Sequence, residues 1–287
     1  MKEQAKTFRE KLAITGDSWQ WYARLFAKGM VTAVRLADKP LVGPFLKKVL
    51  LFDQPEKNYT QAFTLNINLK VDEKEAHQNV VLPIDLIRRS IETSPFRAIM
   101  HKCLCRTGNN CQNFNIDYGC IFIGEAAKST VENGIAREAT VQEALSHMEK
   151  AVDTGLVGMS TWIEIEKYVW GIKEEGLRKF LEICFCCPCC CLILKNMKKI
   201  PPDIRQRFKG VGWKSTYLGG CNGCGICEES CPAQAITVQD DTPSISDQCL
   251  GCGICAFRCS QKALETKPIA APKENLQAYY EGFRPDV

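Results

Sequence analysis

The sequence predicts an α+β protein in which a mainly helical, cysteine-rich domain precedes a small duplicated module. Three observations carry that expectation. Eighteen cysteines stand among 287 residues, in a chain whose 45% hydrophobic and 24% charged content is otherwise ordinary for a globular protein. Helical periodicity is strong ahead of the main cysteine groups. Near the C-terminal end, four cysteines recur at an offset of 28 residues.

Composition narrows the chemistry. So many cysteines serve either a disulfide scaffold or thiolate ligation of metal in a reducing compartment. The opening "MKEQAKTFREKLAITGDSW" is charged throughout and has no apolar core of signal-peptide length. Metal ligation in the cytoplasm is therefore favoured. The longest uncharged, largely apolar run, Ile183 to Leu194, has twelve residues, against the roughly 20 a spanning helix needs.

The chain divides into four regions. Residues 1–79 are basic and aromatic, with eleven Lys/Arg against six Asp/Glu over the first 60. Trp19, Tyr22, Phe26 and Met30 fall at helical spacing, and Pro40 and Pro44 interrupt the pattern. Such a segment suits either a helix packed on its own domain or one lying on an anionic membrane surface or acidic partner. Phe63 to Val71 alternates with period two and reads as a strand.

Residues 80–200 hold ten cysteines. "LPIDLIRRSIE" reads as a helix. In "TVQEALSHMEKAVDTG", Thr140 and Glu143 form a capping box, Ala144, Leu145, Met148, Ala151 and Val152 a buried stripe, and Gly155 a stop. A basic linker over 195–214 carries seven Lys/Arg and one acid. It is a candidate contact for an acidic partner, or an internal counterweight to negative charge. The duplicated module occupies 210–267 and a polar tail 268–287.

In the module, "CNGCGICEESCP" begins at Cys221 and "CLGCGICAFRCS" at Cys249. Cysteines two residues apart on a curling loop present three thiolates to one metal cluster, and Gly223, Gly225, Gly251 and Gly253 let the loop curl. This duplicated C-x2-C-x2-C-x3-C run resembles the bacterial two-[4Fe–4S] ferredoxin. The resemblance implies a ferredoxin-like fold with crossed ligation. Cys221, Cys224, Cys227 and Cys259 would hold one cluster, and Cys249, Cys252, Cys255 and Cys231 the other. Pro232 follows Cys231 as the pattern expects; Ser260 follows Cys259, which it does not.

The other ten cysteines are Cys103, Cys105, Cys111, Cys120, Cys184, Cys186, Cys187, Cys189, Cys190 and Cys191. A C-x-C on an extended segment points two thiols to one face, Asn109, Asn110 and Gly119 mark turns, and Pro188 bars a continuous helix through "CFCCPCCC". The simplest expectation is that the two groups meet and build one additional iron–sulfur site. A structural zinc site, or buried thiols without metal, are the alternatives. "CLCR", "GCIFIGE" and "CFCCPCCC" ahead of such a module are similar to a poorly characterised set of anaerobe iron–sulfur proteins, which implies little about a reaction. Arg106 is a candidate donor to cluster sulfur. His101 is a weaker ligand candidate, and His77 and His147 have no neighbouring motif.

The expectation is an iron–sulfur protein relaying single electrons between redox protein partners, through two [4Fe–4S] clusters and a further cluster. The alternative is an iron–sulfur reductase acting on a small molecule at the N-terminal site. No Gly-rich nucleotide fingerprint appears, and no nucleic-acid-binding pattern.

Overall fold

The computed structural model describes residues 19–37, 39–49, 61–64, 83–162, 166–205, 208–210 and 212–269. Within them helices and strands mix in an α+β arrangement. The expected strand Phe63 to Val71 overlaps strand β1 (Gln61–Thr64) only at its first two residues; its remainder, His77 and the polar tail lie outside the described residues.

Helix α1 (Trp19–Leu36) and helix α2 (Gly43–Val49) open the described chain. Pro44 sits in the first turn of α2, where a missing N–H costs nothing. Trp19, Ala23 and Ala27 form the buried face of α1, with Tyr22, Phe26 and Met30 partly covered beside them. The packed-helix reading thus holds for this face. The opposite face leaves Trp21 69% and Leu25 57% exposed, with Arg24 and Lys28 beside them.

Helix α3 (Pro83–Thr93) and helix α5 (Val141–Asp153) form where the periodicity predicts, with helix α4 (Leu104–Gly108) between them. Thr140 caps α5 through a complete capping box with Glu143, and Gly155 follows at φ +85°. Ala144, Leu145, Met148 and Ala151 are buried, and α5 packs on α3 and the sheet.

That sheet is what the reading of the cysteine-rich region as mainly helical lacked. Strands β2 (Arg97–Met100), β3 (Ile121–Ile123), β4 (Ala136–Glu138), β5 (Val157–Trp162), β6 (Leu181–Cys186) and β7 (Phe208–Gly210) join β1 in one sheet of order β4-β2-β3-β6-β5-β1-β7. All its pairings are antiparallel except β1 with β7. Strand β3 is a short continuous apolar run, "IFI", which periodicity alone cannot tell from buried helix.

The basic segment after β6 is folded rather than extended. Leu194, Met197 and Ile200 are buried. Lys198 donates to the Glu229 carbonyl at 2.6 Å, Arg205 to Gln234 at 2.8 Å, and Lys214 pairs with Asp247 at 2.8 Å. Lys198 and Arg205 therefore fasten the C-terminal module to the rest of the chain, while the Lys214–Asp247 pair lies within the module. The module pairs β8 (Trp213–Tyr217) with β11 (Leu264–Pro268) and β9 (Ile236–Gln239) with β10 (Thr242–Ile245). Each cysteine loop leads into a five-residue helix, α6 (Ile226–Ser230) or α7 (Ile254–Arg258).

Candidate metal centre

The module repeats its geometry as faithfully as its sequence. Gly223, Gly225, Gly251 and Gly253 all take left-handed φ between +64° and +75°, a region that a side chain disfavours. The curl turns main-chain N–H groups onto sulfur in both halves. Gly223 N–H points at Cys221 Sγ and Gly251 N–H at Cys249 Sγ, each at 3.4 Å; Ala235 N–H meets Cys231 Sγ at 3.2 Å and Ala263 N–H meets Cys259 Sγ at 3.3 Å. Donors aimed at thiolate sulfur are the supporting shell an anionic cluster requires.

Cys231 lies at the end of α6, and the thiols that act on it and its neighbours electrostatically are those of the second loop: Cys249 on Cys231, and Cys231 on Cys252 and Cys255. Cys227 is acted on instead by Cys221 and Cys224. Burial pushes Cys252 up to about 12 and Cys255 to about 11, so these thiols need a cation to ionise. Ser215 Oγ lies 3.0 Å from Cys255 Sγ, a sulfur contact the sequence did not signal. Ser260 in place of proline leaves the backbone unchanged, with Cys231 at φ −69°, ψ 112° and Cys259 at φ −77°, ψ 105°.

The second thiol-rich centre grows from β6. Alternation along "LEICFC" puts Glu182, Cys184 and Cys186 on one face of the sheet, where Thr161 and Met159 of β5 stand beside Glu182 and Cys184. Cys120 immediately precedes β3, its Sγ 3.5 Å from Cys184 Sγ. The C-x-C pair departs from the expected extended segment. Cys103 is the N-cap of α4, and Cys105 lies within that helix. Gly108 lets α4 approach α1 closely, since a Cβ there would strike the Ala23 carbonyl.

These elements enclose a cavity of about 130 Å³ lined by Cys103, Cys105, Cys120, Cys184, Cys186, Cys187 and Cys191, together with Arg106, Thr161, Glu182 and Trp170, and roofed by Phe26 and Met30 of α1. Six of these thiols crowd one another. Neighbouring sulfurs lower two of them, Cys184 through Cys120 and Cys186, and Cys191 through Cys105 and Cys186 to about 6, and raise Cys103, Cys105, Cys120 and Cys186.

Arg106 is fully buried at this cavity. It donates to the Phe185 carbonyl at 2.8 Å and to the Tyr118 carbonyl, while its Nε has no partner. Burial opposes its charge, but Cys103, Cys187, Cys120 and Cys186 outweigh that and raise its pKa. A buried cation needs buried negative charge. Among the described residues no carboxylate is hydrogen-bonded to Arg106, so thiolates around a metal cluster fit that need.

The remaining cysteines stand apart. Cys111, Cys187, Cys189 and Cys190 bring their Sγ atoms within 4.8 Å of one another, outside the cavity except for Cys187. The C-x-C segment and the 184–191 run thus meet as expected, but they surround two places rather than one. His101 is exposed and belongs to neither. His147 is a positioning residue: its Nε2 bonds the Gly119 carbonyl at 2.8 Å, next to Cys120, and burial lowers its pKa. Glu182 and Thr161 were missed by the sequence reading; the strand alternation that places Cys184 and Cys186 was the available signal.

Residues 220–264 match the family model of the 4Fe-4S dicluster domain. No curated protein and no solved structure matches the chain. The chain therefore carries a C-terminal ferredoxin-type iron–sulfur module.

Proposed function

We propose that this is an electron-transfer protein that relays single electrons through two [4Fe–4S] clusters in its C-terminal module and a further iron–sulfur cluster in the thiol-lined cavity. The observation that carries the reading is a shared core. Cys186 and Cys191 of the cavity belong to the same buried cluster of side chains as Cys227, Cys231 and Cys255 of the module. Packed side chains rather than solvent therefore separate the two thiol sets.

Each part of the chain has a role in that reading. Cys221, Cys224, Cys227 and Cys259 hold the first cluster, and Cys249, Cys252, Cys255 and Cys231 the second. Cys103, Cys105, Cys120, Cys184, Cys186 and Cys191 supply ligands in the cavity. Clusters so held take up and give back one electron at a time with no covalent step. Main-chain donors and Ser215 stabilise negative charge on sulfur, Arg106 does so in the cavity, and Phe26, Met30 and Trp170 keep water out.

Iron, sulfide and EPR measurements on anaerobically purified protein test this. The module alone accounts for about eight irons, and a loaded cavity adds more. Replacing Cys103 with Cys105, or Cys184 with Cys186, by serine should remove the same extra iron and the same signal. Separate losses from the two lesions would reject a shared cluster.

A second reading rests on Glu182, a buried carboxylate inside the same cavity, where Cys184 Sγ lies 3.2 Å from Oε1 and Trp170 Nε1 donates to Oε2 at 3.3 Å. A carboxylate there is placed to pass protons, as a reductase of a small molecule requires. Glu182→Gln would then abolish substrate turnover while leaving the metal content intact.

The basic, aromatic outer face of α1 fits an anionic lipid surface: Trp21 and Leu25 enter the interface while Arg24 and Lys28 meet phosphate. No helix among the described residues is long and apolar enough to cross a membrane.

A further inference from the structure

We infer that Cys111, Cys187, Cys189 and Cys190 form a separate site for a single tetrahedrally bound thiophilic ion, zinc or ferrous iron, beside the cavity and independent of its contents. Cys111 Sγ and Cys189 Sγ are 3.8 Å apart. Four thiolates around one ion at about 2.3 Å stand about 3.8 Å apart along each tetrahedral edge. That separation is far too long for a disulfide, in which the sulfurs lie about 2.05 Å apart. It is also too compact for a cubane, whose irons occupy separate corners and spread their thiolates wider. Among the described residues, no four of the module's cysteines converge this closely.

The backbone is arranged to hold this geometry. Pro188 opens a turn that Cys191 N–H closes onto the Cys187 carbonyl at 3.1 Å, bringing Cys187, Cys189 and Cys190 to one side. Asn109 Nδ2 ties the two segments together, donating to the Cys105 carbonyl at 3.0 Å and the Cys190 carbonyl at 3.1 Å. Asn110, at φ +49°, turns the chain so that Cys111 faces the same point.

The location gives the site its consequence. Cys189 lines a cleft of about 420 Å³ together with Cys252 of the module's second loop and Phe257 of α7, while Cys187 lines the cavity. A zinc ion would clip the 105–111 segment to the 187–190 turn at the junction of the two halves. Ferrous iron would add a one-electron station between them.

The distinguishing readout is sulfide, because a mononuclear site contains none. Full-length protein purified anaerobically, and its Cys111→Ser and Cys189→Ser variants, would be analysed for zinc, iron and acid-labile sulfide. Each variant should lose one metal ion per chain with sulfide and cluster EPR signals unchanged. The identity of the lost metal separates zinc from iron. Adding Zn2+ alone after mild chelation should restore one equivalent to the parent chain and none to either variant. Loss of sulfide together with metal, or no loss of metal in either variant, would overturn the assignment. An empty cavity would instead lower sulfide in the parent chain and leave the one-ion loss in the variants intact.

Discussion

Arg106 concentrates, in one residue, the argument for metal in the cavity. Its guanidinium is fully buried, yet its hydrogen bonds go to two carbonyls and its charge is balanced by thiols. Arg106→Met keeps much of the volume and leaves the Phe185 and Tyr118 carbonyls without donors, at about 1–3 kcal/mol each. Stability alone would not discriminate roles. The discriminating measurement is a potentiometric titration: removing a positive charge beside an anionic cluster should lower its reduction potential, while the module's potentials stay fixed. An unchanged cavity potential would reduce Arg106 to a packing residue. "CLCR" in the sequence marked this arginine, but its burial and its carbonyl partners come from segments 12 and 79 residues away, which no local pattern encodes.

At the scale of elements, legibility followed locality. Helix α5 was readable to its cap because the capping box and the apolar stripe are both contained in one short segment. Thr140→Ala should cost about 1 kcal/mol in denaturant unfolding. Glu143 accepts from the Thr140 main-chain N–H and hydroxyl and pairs with Arg137, and these lower its pKa. A depressed carboxyl contributes stability above its ordinary range and loses it as pH falls through the folded value. Glu143→Gln should therefore flatten the acid limb of the stability curve; an unaltered limb would show that the box does not govern it. The sheet was not readable, because strands such as "IFI" and "LEICFC" acquire meaning only from partners distant in sequence. Helix α1 was readable as amphipathic but not as two-faced, with an inner face on α4 and an outer one bearing Trp21 and Leu25. Trp21→Ser with Leu25→Ser should weaken co-sedimentation with anionic liposomes, as should added salt. Binding that survives both would exclude this face.

For the whole molecule, the proposed relay takes its direction from the exposure of the thiol sets. Cys224 of the first loop is exposed, whereas its counterpart Cys252 lines the cleft beside Cys189; Cys227 and Cys255 both lie in the core shared with Cys186. The duplicated module was legible in the spacing of the repeat. Its orientation against the other half was not, because that depends on the packed basic segment, with Lys198 and Arg205 fastening the two parts. In the proposed relay an external donor protein would meet the exposed first loop, and electrons would pass through the module to the cavity. Cys224→Ala should slow reduction of the cavity centre by a low-potential donor protein by an order of magnitude or more in anaerobic stopped-flow measurements. A small diffusing reductant should still bring that centre to the same final state, since the cavity ligands are untouched. Equal rates with the donor protein in variant and parent would mean that electrons enter elsewhere, and that the module is not the route into the N-terminal half.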